Sequence, residues 1–233
     1  MPGYQVKVPG NVTRVQDSFN RGVLQPSGSL IWSVCNMNIL PVTTPFAIGN
    51  AACQAVGTGQ MVLSCYGQTN PLYSAPAALQ CIALTSRLLW GQTQYAQVKY
   101  ISQLGNLSAG PAVMVDVQGV NSGGGCYAIL FIGPPGTRLV KMVGGSSLWT
   151  ESDLIAPIPG DVQSNGDVYR LSCQRQGASN FLTVTKNGTV IATFTDNTPL
   201  TTGVPGLTEV SLSIAAGVPG QLIVSAGDFG LGL

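Results

Sequence analysis

Histidine is absent from this sequence, and charged residues of either sign are scarce. Lys and Arg number 10 and Asp and Glu number 9 among 233 residues, so 8% of the chain is charged. An average soluble domain has roughly 25%. Without histidine, a nucleophilic triad that uses this side chain as its base is excluded. A net charge of +1 with no concentrated basic patch also argues against nucleic-acid binding.

Long hydrophobic runs are also missing. No stretch of about 18 apolar residues occurs, so we expect no membrane insertion. Residues 1–16 contain Pro2 and Pro9 and lack the apolar centre of a secretory signal peptide. We interpret them as an extended N-terminal arm. A protein of this kind that acts outside a cell needs another way out, and release inside a virus particle is one.

Cysteine is present, but not in a metal-binding pattern. No two cysteines are spaced as Cys-x-x-Cys, and without histidine their spacing does not indicate a zinc site. We interpret them as buried free thiols, which pack as small hydrophobic side chains. A bridge among Cys53, Cys65 and Cys81 is the alternative. The six positions are Cys35, Cys53, Cys65, Cys81, Cys126 and Cys173.

The residues that are abundant indicate many short strands. The chain has 30 Gly and 15 Pro, and 45% of it is hydrophobic, which is typical of strands joined by tight turns around a core. Asn187-Gly188 lies between two runs rich in Val, Thr and Phe, and this dipeptide favours the two-residue turn of a β-hairpin. In Gln94–Ile101, alternation places Ala96, Val98 and Tyr100 on one face. The sequence therefore predicts an all-β fold.

Further strands are predicted along the chain. Pro111–Val117 alternates so that Val113, Val115 and Val117 point inward and Met114 points outward. Cys126–Ile132 is apolar on both faces, which indicates a central covered strand, and Thr137–Val143 is its expected hairpin partner. We interpret residues 17–233 as one β-sandwich domain, with an irregular or inserted region at residues 36–90.

The order of these motifs resembles that of the concanavalin A-like (laminin G-like) jelly-roll β-sandwich domains of phage structural proteins and secreted bacterial proteins. The resemblance implies two antiparallel sheets of six or seven strands, one of them concave. It also implies that the first and last strands pair, with Phe19 near Phe229. The motifs that carry it are Asp17-x-Phe-Asn-Arg21, Tyr95-Ala-Gln-Val98, Thr137-Arg-Leu-Val-Lys-Met-Val-Gly-Gly145, Gly166-Asp-Val-Tyr-Arg-Leu171, Leu182-Thr-Val-x-Lys-Asn-Gly188, Gly203-Val-Pro-Gly-Leu207 and Ala226-Gly-Asp-Phe229.

Carboxylates suited to catalysis are sparse. Retaining glycosidases of this fold class carry Glu-x-Asp-x-x-Glu on one strand, and the nearest match is Glu151-Ser-Asp153, without a third acid or strand-like flanks. Asp116 and Glu209 are the other carboxylates considered. We interpret all four as surface or turn residues and expect no catalytic residue. Gly133–Arg138 lacks the Gly-Lys-Ser/Thr of a phosphate-binding loop, so it is interpreted as a turn.

Ligand sites are equally weakly marked. Asp161, Asp167 and Asp196-Asn197 offer hard oxygen ligands for calcium, but Asp and Asn favour turns in any case, and no cofactor is assigned. Carbohydrate binding uses exposed aromatic and polar side chains. The candidates are Trp90, Trp149, Tyr127 and Arg170, and core packing or cross-strand contact is the preferred interpretation of each. No ligand-binding residue is assigned.

These observations lead to a functional hypothesis. Low charge and a mean hydropathy of +0.29 favour a subunit packed in an assembly. We expect a non-enzymatic phage virion structural protein, a capsid decoration (cement) or tail-associated protein. It would form homo-oligomers, contact other virion proteins and reside in the virion. The alternative is a carbohydrate-binding module that recognises cell-surface glycans, and the third hypothesis is a glycan hydrolase.

Overall fold

In the computed structural model, strands make up most of the residues whose backbone is described. Backbone structure is described for residues 14–17, 32–37, 52–55, 60–65, 78–84, 93–104, 107–116, 125–132, 136–144, 149–211 and 220–231. Side chains are described between residues 93 and 205, except for 103–107, 117–124, 133–135 and 144–150. Within these residues no helix is long and apolar enough to cross a membrane.

Fifteen strands make up the regular structure of the described residues. They are β1 Arg14–Asp17, β2 Trp32–Met37, β3 Ala52–Ala55, β4 Gln60–Cys65, β5 Ala78–Leu84, β6 Gln94–Leu104, β7 Leu107–Val115, β8 Gly125–Phe131, β9 Thr137–Gly144, β10 Trp149–Ile155, β11 Val168–Gln176, β12 Ser179–Lys186, β13 Thr189–Asp196, β14 Val204–Ser211 and β15 Gly220–Leu231.

The strands form two antiparallel sheets. Sheet I has the order β13-β12-β11-β6-β15-β4-β3, with β1 also paired to β15, and sheet II has the order β10-β9-β8-β7-β14-β5-β2. The predicted two-sheet antiparallel sandwich is therefore confirmed. The first and last strands pair as expected, with Val15 opposite Phe229. Phe19 lies outside the described residues.

The domain boundaries stay a prediction. Residues 14–16 of the expected arm belong to β1, and residues 1–13 lie outside the described part. Within the region 36–90, the structure describes β3, β4, β5 and the end of β2. The rest of that region is not described.

The Asn187-Gly188 turn joins β12 to β13, as predicted. Both residues have positive φ, 51° and 81°, which this turn requires and which Asn and Gly tolerate. Asn187 also fixes the turn to β11 through two hydrogen bonds. Its side-chain Oδ1 accepts from the Val168 backbone N–H at 2.8 Å, and its backbone N–H donates to the Val168 carbonyl at 2.8 Å. The hairpin is therefore fastened to its neighbouring strand.

The core lies between the sheets and follows the predicted alternation of β6. Ala96 and Val98 are buried there, and Tyr100 packs against them. The Phe131 ring meets Tyr100 and Tyr169 edge to face, with centroids 5.2 and 4.9 Å away. Burial also fits the cysteine interpretation where the structure tests it, since Cys126 and Cys173 are buried thiols. The side chains of the other four cysteines are not described.

In β7 the prediction for Met114 is wrong. Met114 is buried in the core beside Val113 instead of pointing outward. Its φ is 55°, so the strand is locally twisted and strict alternation fails. Gln94 compensates, because its side-chain oxygen accepts a hydrogen bond from the Met114 amide at 2.9 Å and its amide group donates to the Met114 sulfur at 3.2 Å.

The central strand β8 is buried along its whole length, which confirms the covered strand predicted at Cys126–Ile132. Tyr127, Ile129 and Phe131 face the core. The intervening residues face the other side of sheet II and are buried as well, as are their neighbours on β9. This outer apolar patch consists of Cys126, Ala128, Leu130, Val140 and Met142.

Gly203 provides a test of the close packing at Met114. A Cβ at Gly203 would lie 2.2 Å from the Met114 carbonyl carbon, and Gly203 has φ of 134°. We expect Gly203→Ala to lower the free energy of unfolding by about 3 kcal/mol or more, because backbone strain and steric overlap add. Gly177→Ala is the control, because φ is 59° there and no atom lies near the added Cβ. We expect it to lower the free energy of unfolding by about 1 kcal/mol. Urea unfolding measures both, and equal losses would contradict the packing argument.

Candidate functional site

Glu151 and Asp153 lie side by side on the edge strand β10. Their partners in β9 are Met142 and Val140. Because Leu139 faces the core, Val140 and Met142 face outward, and the two acids share that outer face of sheet II. The expectation that these acids lack strand-like flanks is wrong. Glu, Ser and Asp have low strand propensity, and pairing with β9 overrides it.

One guanidinium holds both carboxylates. Arg138 Nη2 donates to Glu151 Oε1 at 2.5 Å, and Arg138 donates to Asp153 Oδ1 from Nε at 2.7 Å and also from Nη2. Since one nitrogen contacts an oxygen of each acid, those two oxygens lie no more than about 5 Å apart. Burial alone would lower the pKa of Arg138, but the hydrogen bonds and charges of Asp153 and Glu151 outweigh it and raise that pKa.

These three side chains differ in exposure. Arg138 has 15% of its side-chain surface exposed, Glu151 22% and Asp153 46%. The cation is therefore the most enclosed member, and the acids stand between it and the solvent. A polar ligand reaching β10 meets the carboxylates first.

Asp161 is a buried carboxylate that joins the two sheets. It accepts hydrogen bonds from Thr137 of sheet II at 2.5 Å and from the Tyr169 hydroxyl of sheet I at 2.9 Å. The Lys186 ammonium lies 3.1 Å from Asp161 and 3.0 Å from Asp167. Burial alone would lower the pKa of Lys186, but its hydrogen bonds to Asp167, Tyr169 and Asp161 raise it. The ammonium therefore stays charged beside both acids.

Asp196 is a second buried carboxylate that joins the two sheets. Its Oδ2 accepts from the Tyr127 hydroxyl at 2.6 Å and from Lys141 at 2.7 Å, and its Oδ1 accepts from the Thr198 amide at 2.9 Å. Tyr127 in turn accepts from the Leu200 amide at 2.9 Å. Burial, together with the hydrogen bond to Asp196, raises the pKa of Tyr127 above its ordinary range. The hydroxyl is a donor within a satisfied network.

The calcium candidates do not converge on one point. Asp161 and Asp167 share Lys186, whereas Asp196 is paired with Lys141. In each case a lysine ammonium occupies the position beside the carboxylate that a cation would take. Among the described residues no group of three or more His, Cys, Asp or Glu side chains is arranged to hold a metal ion.

Arg170 lies on the other side of the sandwich, on the outer face of sheet I. Its guanidinium carbon is 3.6 Å from the centroid of the Tyr95 ring, and its Nε donates to Ser172 Oγ at 3.3 Å. A shallow pocket of about 300 Å³ opens around it. The pocket is lined by Gln97, Val168, Arg170, Ser172, Thr183, Thr185 and Gly188.

The carbohydrate candidates named from the sequence are not brought together. Tyr127 is in the core, whereas Arg170 lies in the outer pocket. The Trp149 side chain and the whole of Trp90 lie outside the described residues. Of the remaining acids, Asp116 accepts a 3.4 Å hydrogen bond from Thr202, and the Glu209 side chain is not described. The sequence did not reveal the role of Arg138, which shows only once β9 and β10 are paired.

Comparison with known proteins identifies the fold class. No protein family matches the sequence, and no curated protein matches it. A β-1,3-1,4-glucanase (lichenase) from a mouse hindgut metagenome is 14% identical, with 94% of this chain and 99% of that chain covered and a TM-score of 0.55. A β-1,3-glucanase from Mycobacterium marinum is 14% identical, with 96% and 100% covered and a TM-score of 0.52. The Bacillus licheniformis β-glucanase is 12% identical, with 94% and 98% covered and a TM-score of 0.52.

The chain is thus a concanavalin A-like jelly-roll β-sandwich, the fold that these glycanases adopt. These similarities contradict the prediction of a non-enzymatic phage structural protein, which has no support from them. That prediction associated the motif order with phage proteins, but the motifs mark strands and turns that build the sandwich in any such domain. At 12–14% identity the similarity shows the fold.

The Asp196 network predicts acid sensitivity. Burial alone would raise the pKa of Asp196, but hydrogen bonds from Lys141, Tyr127 and Thr198 outweigh it and lower that pKa. A carboxyl with a lowered folded pKa stabilises the protein above its unfolded pKa of about 4 and loses that contribution as the pH falls through the folded value. We expect Asp196→Asn to lower the free energy of unfolding by about 2 kcal/mol or more at pH 7. In this variant the free energy of unfolding should also fall less steeply as the pH becomes acid.

The measurement is the free energy of unfolding from urea titrations between neutral and acid pH. Thr195→Ala is the matched control, because Thr195 is the exposed neighbour on the same strand and does not titrate. Its free energy of unfolding should fall at acid pH as steeply as that of the wild type. An equally steep fall for Asp196→Asn and the wild type would contradict the linkage between the Asp196 pKa and stability.

Proposed function

We propose that the protein hydrolyses a polysaccharide and that Glu151 and Asp153 are its catalytic carboxylates. The observation that carries the proposal is the shared contact of both acids with Arg138 Nη2. Glycoside hydrolysis requires two carboxyl groups on either side of the scissile bond, at about 5–5.5 Å in retaining enzymes. The separation set by the shared nitrogen fits the retaining class.

The position of the pair also suits a polymer. β10 is the edge strand of sheet II, so among the described strands of that sheet none hinders the approach of an extended chain. The acids are two residues apart and project from the same face, so both reach the same sugar unit. Glycosidic bonds lying across β10 would therefore meet both carboxylates.

The contacts suggest different roles for the two acids. Asp153 is held by two guanidinium nitrogens, which fix its carboxylate in one orientation, as attack on a single carbon atom requires. Glu151 has one contact and a longer side chain, which suits a group that must give up and take back a proton. In this proposal Arg138 is a positioning residue that orients both.

The two steps of the reaction balance as follows. Asp153 attacks the anomeric carbon while Glu151 donates its proton to the leaving glycosidic oxygen, so a glycosyl ester forms and the glycosidic bond breaks. Glu151, now ionised, removes a proton from water as the water oxygen attacks the same carbon. The ester bond then breaks and frees the Asp153 carboxylate.

The similar structures suggest which substrates to test. One is a β-1,3-1,4-glucanase and another is a β-1,3-glucanase. A third is described in connection with endo-acting O-glycanases that initiate mucin breakdown. Mixed-linkage β-glucan, β-1,3-glucan and mucin O-glycans are therefore the first substrates to test.

We expect the full chain to release new reducing ends from at least one of these substrates. Glu151→Gln and Asp153→Asn should each lower kcat by about a thousandfold, since each removes a group required for proton transfer or covalent catalysis. KM should change little. Ser152→Ala is the matched control, because Ser152 lies between the two acids on the opposite face of β10 and should leave kcat unchanged.

The stereochemistry of the product provides an independent check. NMR of the first product should show the anomeric configuration of the substrate, as two displacements require. Inversion would contradict the roles given to the acids. Unchanged kcat in both acid variants would exclude the pair, and no cleavage of any of the three substrates by folded protein would overturn the proposed function.

A further inference from the structure

A second candidate binding site, the pocket around Arg170, lies away from the carboxylate pair. Glu151 and Asp153 are on the outer face of sheet II, whereas the pocket around Arg170 is on the outer face of sheet I. Tyr169 and Leu171 face the core, so Arg170 between them faces outward. What binds in this pocket is therefore a separate question from catalysis.

Arg170, like Lys99 and Arg175, has no acidic partner among the described residues. Arg138, Lys141 and Lys186 each contact at least one carboxylate oxygen. The described contacts of Arg170 are the Tyr95 ring and Ser172 Oγ. The chain therefore keeps one of its few positive charges in a polar pocket without a neutralising carboxylate among the described side chains.

The guanidinium is already oriented. The Tyr95 ring, 6% exposed, lies beneath it, and the bond from Nε to Ser172 fixes its rotation. The hydrogen bond to Ser172 uses Nε and the ring contact uses the guanidinium face, so neither contact engages the N–H groups of Nη1 and Nη2. A planar fork held in this way matches the two oxygens of a carboxylate, and holding it in advance reduces the entropy lost on binding.

Groups that match sugar hydroxyls surround it. Gln97 and Thr185 pair with Arg170 from the two flanking strands, and Thr183 pairs with Ser172 in the next row. Among the described residues, no hydrogen bond involves the side chains of Gln97, Thr183 or Thr185. An amide and two hydroxyls are thus available beside the guanidinium.

The charges near the pocket are mixed at its margin. Lys99 is exposed and pairs with Val168 at the rim. Asp228 of β15 pairs with Gln97, one strand further from Arg170. Among the described residues that line the pocket, Arg170 is the charged one and none carries a carboxylate.

We propose that this pocket binds a uronate unit of an acidic polysaccharide. The sugar carboxylate would accept two hydrogen bonds from Arg170 Nη1 and Nη2, and the ring hydroxyls would bond to Gln97, Thr183 and Thr185. A volume of about 300 Å³ is at the small end of ligand pockets, which fits one sugar unit, and the open shape lets the polymer continue in both directions. A neutral sugar would leave the guanidinium without an ionic partner.

The test is calorimetric binding of a galacturonic acid trimer and of the matching neutral galactose trimer. It uses the full chain with Glu151→Gln, so that hydrolysis cannot interfere. We expect the acidic trimer to bind at least tenfold more tightly than the neutral one. Arg170→Gln should weaken binding of the acidic trimer by about ten- to a hundredfold and remove the difference between the trimers. Added salt should weaken binding of the acidic trimer.

Two further variants distinguish the bidentate contact of the guanidinium from the effect of its positive charge alone. Arg170→Lys keeps the charge but loses the two-pronged contact, so it should restore only part of the affinity lost in Arg170→Gln. Arg175→Gln is the matched control, since Arg175 is on the same strand, bonds to Asn180 and does not line the pocket. Thermal unfolding checks that each variant is folded.

Several outcomes overturn the proposal. Equal binding of the two trimers, no binding of the acidic trimer, or unchanged affinity in Arg170→Gln would each do so. Equal affinity for a sulfated trimer without carboxylates would overturn the assignment to uronates. None of these results bears on the hydrolysis proposal, which is decided by the β10 variants.

Discussion

Two buried aspartates hold the sheets of this sandwich together, and the rest of the structure depends on them. Asp161 accepts from Thr137 of sheet II and from Tyr169 of sheet I, and Asp196 at the end of β13 accepts from Tyr127 of sheet II. Each also meets a lysine. A buried charge is costly unless its hydrogen bonds are complete, so these networks penalise any shift of one sheet against the other. An apolar core alone is less demanding about register.

This arrangement determines where function can lie. The polar groups between the sheets are committed to one another, and β8 is buried on both faces. Among the described side chains, those able to meet a ligand are therefore on the outer faces, at the edge strand β10 and around Arg170. In a chain with so few charges, each charge that is not used to join the sheets is informative. The Arg138 cluster and the Arg170 pocket stand out for that reason.

Much of the fold could be predicted from the sequence, because its signals are local. The Asn187-Gly188 turn and the alternation of β6 depend on neighbouring residues only. Met114 was predicted wrongly because its left-handed backbone is stabilised by Gln94, twenty residues away. β10 was missed because its acids oppose strand formation and are retained by Arg138 on the adjacent strand. The candidate site thus depends on pairing between strands, which local patterns do not show, and the motifs that resembled a family described a scaffold.

The buried cysteines have a consequence for the environments in which the protein can work. Cys173 is fully enclosed, and burial raises the pKa of its thiol to about 12, while Cys126 is equally enclosed on the outer side of β8. Oxidants and disulfides react with the exposed thiolate, which neither residue offers. These two thiols therefore neither require a reducing medium nor depend on an oxidising one. In respect of these residues, the sandwich is chemically indifferent to the redox state of its surroundings.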